Sequence, residues 1–241
     1  MVGPEWLAAC VPIAKAEAGV FSPTGAGVLV HDAPVVWLVT AGHVVASRSE
    51  TPYALIPKLD GGVAAVELGT EPHGVEWVRD TAHDIAARLV PLPEGHSVKA
   101  VSFELFANDD DLVASMPCYC VGCPYGLTGF DPNTVAPMVL DGTVSGIARN
   151  TRSVVISTPT FPGNSGGPLL VVRLPFNPMG APTVLLGGIM REAATVAPAT
   201  GGPELRLGLA TSAAAVRELL HGEHALRQKR WAERSGRAPS P

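Results

Sequence analysis

Short apolar stretches, broken by turn residues, set the rhythm of this chain. Residues 11–13, 27–30, 35–39, 53–56, 63–68, 75–78, 85–90 and 98–103 are apolar-rich, with no helical period between them. Their spacing of roughly 8–12 residues predicts an all-β unit. The rhythm returns at 115–121, 136–140, 143–148, 153–157, 169–174, 184–190 and 205–210, predicting a second unit. Between the two lies ANDDDL at 107–112, too acidic for a packed strand, which reads as a solvated boundary loop. After residue 210 the pattern changes. Thr211 or Ser212 caps a helix whose Val216, Leu219 and Leu220 form an i, i+3, i+4 stripe. Past Gly222 the stripe weakens and the chain turns basic. The predicted organisation is therefore 1–107, 108–210, and 211–241 as a C-terminal helix with a basic, partly disordered tail.

Chemistry enters at 161–170, FPGNSGGPLL, where a Gly-rich turn lifts Ser165 in front of an apolar strand. A serine hydroxyl is a weak nucleophile at neutral pH, so it needs a base for its proton and donors for the oxyanion formed on attack. Gly163 lets the backbone curl so that the N–H groups of Gly163 and Ser165 converge. An ordinary Gly-Asn-Ser turn would look the same on this hexapeptide, so the base and its orienter must be found elsewhere. His43, in TAGHVV directly after the run 35–39, is the candidate base. His31, His73, His83, His96, His221 and His224 sit in no comparable small-residue turn. The orienter must be a carboxylate that fixes the imidazole tautomer. Asp84 fits, because it precedes the alternating Ile85, Ala87 and Leu89 and so stands at a strand entrance. Asp80 is the alternative, although RDTA leads into no strand pattern of its own.

The order His43, Asp84, Ser165, with TAGH, DIA and GNSGGP, resembles the trypsin-like (chymotrypsin-fold) serine peptidases. GAGVLV at 25–30, VGCPYGL at 121–127, DGTVSGIAR at 141–149 and LGLATSAAAVRELL at 207–220 bring it nearest to the bacterial HtrA-type branch. The resemblance implies an all-β fold of two six-stranded antiparallel β-barrels (chymotrypsin-like), 1–107 carrying the His and Asp and 108–210 the Ser, with a C-terminal α-helix. It implies a serine endopeptidase acting through an acyl-enzyme, with His43 as general base, Asp84 as orienter, Ser165 as nucleophile, and Gly163 with Ser165 as oxyanion donors. A catalytically silent binding or scaffold protein on the same fold, and an esterase with the same triad, remain the alternatives. The HtrA-type branch usually carries PDZ domains; with about thirty residues after the last strand signal, none is expected here. Asn164 stands where trypsin-like zymogens place an aspartate that pairs with a freed amino terminus. An amide cannot form that charge pair, so no proteolytic activation step is expected: either the oxyanion turn is preformed or loop ordering forms it, with a partner protein or associated domain as a candidate control. The substrate pocket is expected from Thr158, Pro159, Thr160 and Phe161 and from Gly187, Gly188, Ile189 and Met190. With no aspartate at its base, where Pro159 falls, small or medium apolar side chains are expected there in preference to Arg or Lys.

Composition sharpens the picture in three places. At 46% apolar and 16% charged residues, the 241-residue chain is globular and long enough for a sizeable core. Its net charge of −5 offers no general attraction for nucleic acid, so the expected partner is a protein or peptide substrate, with no nucleic acid and no membrane. Four cysteines, three of them in the cluster Cys118, Cys120, Cys123, make no disulfide framework. Reduced thiols in a cytoplasmic protein are the simpler reading. A CxCxxC metal site is the weaker one, since Cys10 is far away in sequence and no histidine adjoins the cluster; no metal and no cofactor are expected. The apolar run 6–14 lacks a basic segment before it, so it reads as the first strand, with an export signal as the alternative.

Overall fold

The computed structural model describes residues 2–47, 51–69, 75–126, 136–175, 180–196 and 205–235, and in it the two apolar series form two β units. The first comprises β1 (Cys10–Glu17), β2 (Val20–Asp32), β3 (Val35–Ala41), β4 (Pro52–Pro57), β5 (Val63–Glu67), β6 (Val78–Asp80) and β7 (Ile85–Leu89), with β8 (Val101–Ser102). They make an eight-stranded sheet in the order β5-β4-β1-β2-β3-β7-β6, with β8 added parallel to β2. The second comprises β9 (Pro117–Gly122), β10 (Met138–Ala148), β11 (Ser153–Ile156), β12 (Pro168–Arg173), β13 (Thr183–Val196) and β14 (Leu205–Ser212). These close into a six-stranded barrel, β10-β11-β14-β13-β12-β9.

The expectation of two six-stranded barrels is therefore corrected for the first half, whose sheet does not close. The end strands explain it. β6 has three residues, and β5 alternates between exposed and half-buried positions with no buried inner face. The carbonyls just past β5 are also occupied by side chains. Arg88 Nη1 donates to the Leu68 and Gly69 oxygens at 3.2 and 2.6 Å, and Trp77 Nε1 donates to the Leu68 oxygen at 3.1 Å. Buried acceptors satisfied in this way need no closing strand.

Each unit has its own core, and a third core fills the seam between them. Val11, Ile13, Leu29, Leu38 and Ile56 pack inside the first sheet, and Leu112, Cys118, Val154, Leu169 and Met190 inside the barrel. The seam core joins Trp37 and Val39 of β3 to Val121, Leu170, Leu186 and Ile189 of the barrel. Strand β3 faces a core on both sides. Its continuous apolar run, without the alternation of a half-solvated strand, follows from that.

The chain ends differ from expectation. Residues 6–14 are strand only from Cys10 onward; α1 (Pro4–Ala9) precedes it, with proline in the first turn where a missing N–H does no harm. Trp6 and Ala9 of α1 are buried in the seam core. At the other end the single expected helix is two, α2 (Ala213–His221) and α3 (Glu223–Arg234), separated by Gly222 in extended conformation. Helix α2 inserts Val216 and Leu220 into the seam core as the stripe predicts. Helix α3 docks through the small or polar Ala225, Gln228 and Ala232 instead, which is why the apolar period faded there. Residues 236–241 of the basic tail lie outside the described residues.

Two other expectations gain detail. The acidic stretch is a short 3-10 turn, Asp109–Asp111, closed by reciprocal hydrogen bonds between Asn108 and Asp111. Arginines of the barrel hold it: Arg152 pairs with Asp109, and Arg173 with Asp111 at 3.1 Å. All four cysteines are free and buried. Burial pushes the Cys118, Cys120 and Cys123 thiols up to about 12 and raises that of Cys10 as well. Cys10, distant in sequence, comes to the cluster in space, its Sγ 3.9 Å from the Val121 oxygen. Among the described residues no group of three or more His, Cys, Asp or Glu is arranged to hold a metal, and no helix is long and apolar enough to cross a membrane.

Candidate active site

Strand pairing brings His43 and Asp84 together. β3 and β7 are antiparallel neighbours with Ala41 opposite Ile85, so the turn after β3 meets the residue before β7. That turn is a 3-10 segment, Gly42–Val45. Gly42 allows the close approach: its N–H donates to the Asp84 oxygen at 2.9 Å, and a Cβ there would lie 3.0 Å from Asp84 Oδ1. Asp84 then accepts twice from one residue, from the His43 amide at Oδ1 (2.9 Å) and from Nδ1 at Oδ2 (2.7 Å). A carboxylate only accepts, so Nδ1 carries the ring proton and Nε2 is left as an acceptor. Asp84 holds this pose at φ +52°, a left-handed conformation in which Asp is one of the better tolerated residues. Asp80, the alternative orienter, is engaged elsewhere. It accepts from His83 Nδ1 at 2.6 Å, and although burial works to raise its pKa, the hydrogen bonds from His83 hold it below the ordinary value.

Ser165 sits on the turn before β12, and the first sheet seats it. The Ser165 carbonyl accepts from the Ala26 amide at 2.8 Å, and Thr40 Oγ1 donates to the Ala26 oxygen at 2.7 Å. Gly166, at φ +86°, lies so close that a Cβ would be 2.0 Å from the Ala26 oxygen and 2.1 Å from Thr40 Oγ1. The barrel returns the support, since Thr211 Oγ1 of β14 donates to the carbonyl of His83, the residue before Asp84, at 2.5 Å. Each unit thus holds the backbone at or beside a candidate site residue of the other.

The turn before Ser165 is fixed peptide by peptide against the segment after β9. The Pro162 carbonyl accepts from the Tyr125 amide at 2.6 Å, the Gly163 carbonyl from the Cys123 amide at 3.1 Å, and the Asn164 carbonyl from the Gly167 amide at 3.0 Å. In a planar trans peptide the C=O and the following N–H point opposite ways. Clamping the Pro162 and Asn164 carbonyls therefore turns the Gly163 and Ser165 N–H groups outward, and neither has a hydrogen-bond partner among the described residues. Gly163 is at φ +98°, and a Cβ on it would lie 2.0 Å from the Cys123 oxygen. Gly163→Ala is expected to displace this turn and lower kcat/KM by about 100- to 1,000-fold, the loss typical of one oxyanion donor. Steady-state kinetics beside a thermal melt would show it, and unchanged turnover would mean that the donors are not used.

His43, Asp84 and Ser165 all line one cavity of about 530 Å³, with Thr160, Phe161, Pro162, Arg191, Glu192 and Ala193. The Ser165 hydroxyl donates to the Arg191 carbonyl at 2.6 Å and makes no hydrogen bond to His43. Asn164 is 1% exposed, and neither its side-chain Nδ2 nor its Oδ1 has a partner among the described residues.

Of the residues expected to form the pocket, Thr160 and Phe161 line this cavity. Thr158 is buried and donates to the Asp141 oxygen at 2.8 Å, and Pro159 is exposed. Ile189 and Met190 are in the cores, and Gly187 and Gly188 pack against Val171 and the Thr211 backbone. The second wall comes from the next three residues of β13, Arg191, Glu192 and Ala193. Sequence reasoning gave no role at the site to Ala26, Thr40, Thr211 or Arg191, and read Thr211 as a candidate helix cap. Only Thr40 carried a visible signal, a hydroxyl at the end of an otherwise apolar strand.

A two-unit β scaffold with a His–Asp pair facing a serine turn across its seam defines the class of trypsin-like hydrolases. Residues 25–173 match the family model of the trypsin-like peptidase domain, and the chain belongs to that family. No curated protein matches it. The matched span contains His43, Asp84 and Ser165 and ends before Arg191.

Proposed function

We propose that the chain is a serine endopeptidase in which Ser165 is the nucleophile, His43 the general base and acid, and Asp84 its orienter. The single observation that carries this reading is the His43–Asp84 pair, with Nε2 left as an acceptor, on the wall of the cavity that holds Ser165. The hydroxyl first turns from the Arg191 carbonyl toward Nε2. Oγ attacks the peptide carbonyl carbon as its proton passes to Nε2, and the carbonyl electron pair moves onto oxygen, held by the Gly163 and Ser165 amides. Collapse of this intermediate expels the amine, which takes the proton from Nε2 and leaves an acyl-enzyme. Water then repeats the sequence and releases the acid. General acid–base transfer contributes typically about 100- to 10,000-fold.

Within the family, GAGVLV and VGCPYGL support kinship with the HtrA-type branch, and the structure gives both a task. Gly25 and Ala26 meet the Ser165 carbonyl, and Cys123 and Tyr125 clamp the oxyanion turn.

The test is labelling by an active-site-directed fluorophosphonate, mapped by mass spectrometry, beside digestion of an unfolded protein such as casein. Label on Ser165 with casein cleavage is the expected result. Label with ester but no peptide hydrolysis would make the chain an esterase, and no label would make it a scaffold on a protease fold.

A further inference from the structure

Arg191 is the cavity residue to which this chemistry gives no work beyond its carbonyl. Its side chain is 18% exposed, and Nη2 lies 3.2 Å from Glu192 Oε1. Its Nε is buried without a hydrogen-bond partner among the described residues. Among the described residues lining the cavity it is the one fixed cation. A guanidinium offers five donors in a planar fork, and the single contact from Glu192 satisfies a fraction of them. Leaving a half-buried guanidinium, with its Nε wholly buried, short of acceptors is unfavourable, and an incoming carboxylate relieves it. Glu192 is a weak competitor, because its side chain is 60% exposed and surface ion pairs contribute little.

The cavity is lined by residues 160–162 on one side and 191–193 on the other and adjoins Ser165, a position suited to the side chain of the residue whose carbonyl Ser165 would attack. Phe161, Pro162 and Ala193 suit the methylene stem of that side chain, and Arg191 suits its end. We infer, resting on the endopeptidase reading, that the protein selects an acidic residue, Glu or Asp, on the acyl side of the scissile bond. Arg191 reads the carboxylate as a fork, and Glu192 moves aside toward solvent. Arg191 is thus the residue that sets specificity, in place of the apolar preference expected from Pro159.

Three peptides identical except for Glu, Gln or Leu at this position test the inference. Hydrolysis is measured with the unaltered chain, and binding with Ser165→Ala, which needs no turnover. Glu is expected to exceed its isostere Gln by about 10- to 100-fold, as a charge-assisted hydrogen-bonded pair allows. The ratio should fall to near one in Arg191→Met, persist in part in Arg191→Lys, and rise in Glu192→Gln. Should Arg191→Met not fold, the Glu-to-Gln ratio of the unaltered chain decides the matter. Equal binding of Glu and Gln, a preference for Leu, or binding of none of the three would overturn the inference. Failure of fluorophosphonate labelling would sink the endopeptidase proposal separately, while the binding ratio would still decide this one.

Discussion

Ser165→Ala is expected to abolish fluorophosphonate labelling and to lower peptide hydrolysis about a million-fold, the loss seen when the nucleophile of such a unit is removed. The fold should survive the change. The lost hydroxyl makes one hydrogen bond, to the Arg191 carbonyl, and net contributions of such bonds are about 1 kcal/mol. The backbone contacts that seat the turn, from Ser165 O to Ala26 and from Asn164 O to Gly167, do not involve the side chain. A melting temperature within a few degrees of the parent, with turnover at the background rate, is the expected pair of results. Residual hydrolysis above a thousandth of the parent rate would assign the nucleophile to another group.

The second large effect is expected from Asp84→Asn, about ten-thousand-fold in kcat. Asparagine is the informative replacement because it tolerates the left-handed conformation at φ +52°. Asp84 accepts two hydrogen bonds, one from the His43 amide and one from Nδ1. An amide side chain has one oxygen to offer. The backbone N–H cannot surrender its proton, so the oxygen faces it and the NH₂ group faces Nδ1. The ring then carries its proton on Nε2, where it blocks transfer from Ser165. Activity within tenfold of the parent would remove Asp84 from the role of orienter.

Much of this arrangement was legible in the sequence, for identifiable reasons. His43, Asp84 and Ser165 stand beside strands with clear patterns, and short-range pattern fixes where a strand ends. The second half was legible as strands because β9, β11 and β12 carry the buried positions that the apolar rhythm marks. The open first sheet was not, since closure depends on whether β5 and β6 find each other and on Arg88 and Trp77 taking the Leu68 and Gly69 carbonyls. Helix α3 was missed because it docks through alanine and glutamine, which leave no apolar stripe. Arg191 was missed because attention fell on Gly187 to Met190, whereas the residues of β13 that line the cavity beside Ser165 are the next three, Arg191 to Ala193. A β-strand wall is defined by register with its neighbour, and the bulge between Met190 and Glu192 shifts that register at this point.

The reciprocal bonds across the seam reach beyond the finished molecule. Ser165 is seated by Ala26 and Thr40, which are made early, whereas the carbonyl next to Asp84 is held by Thr211, which is made late, on the last strand. A chain still emerging from the ribosome holds a histidine and an aspartate without the residue that steadies them, and it has no serine turn until most of its length is complete. On the proposed function, synthesis is therefore safe for the cell that carries it out: hydrolytic competence arrives only when the last strand has docked.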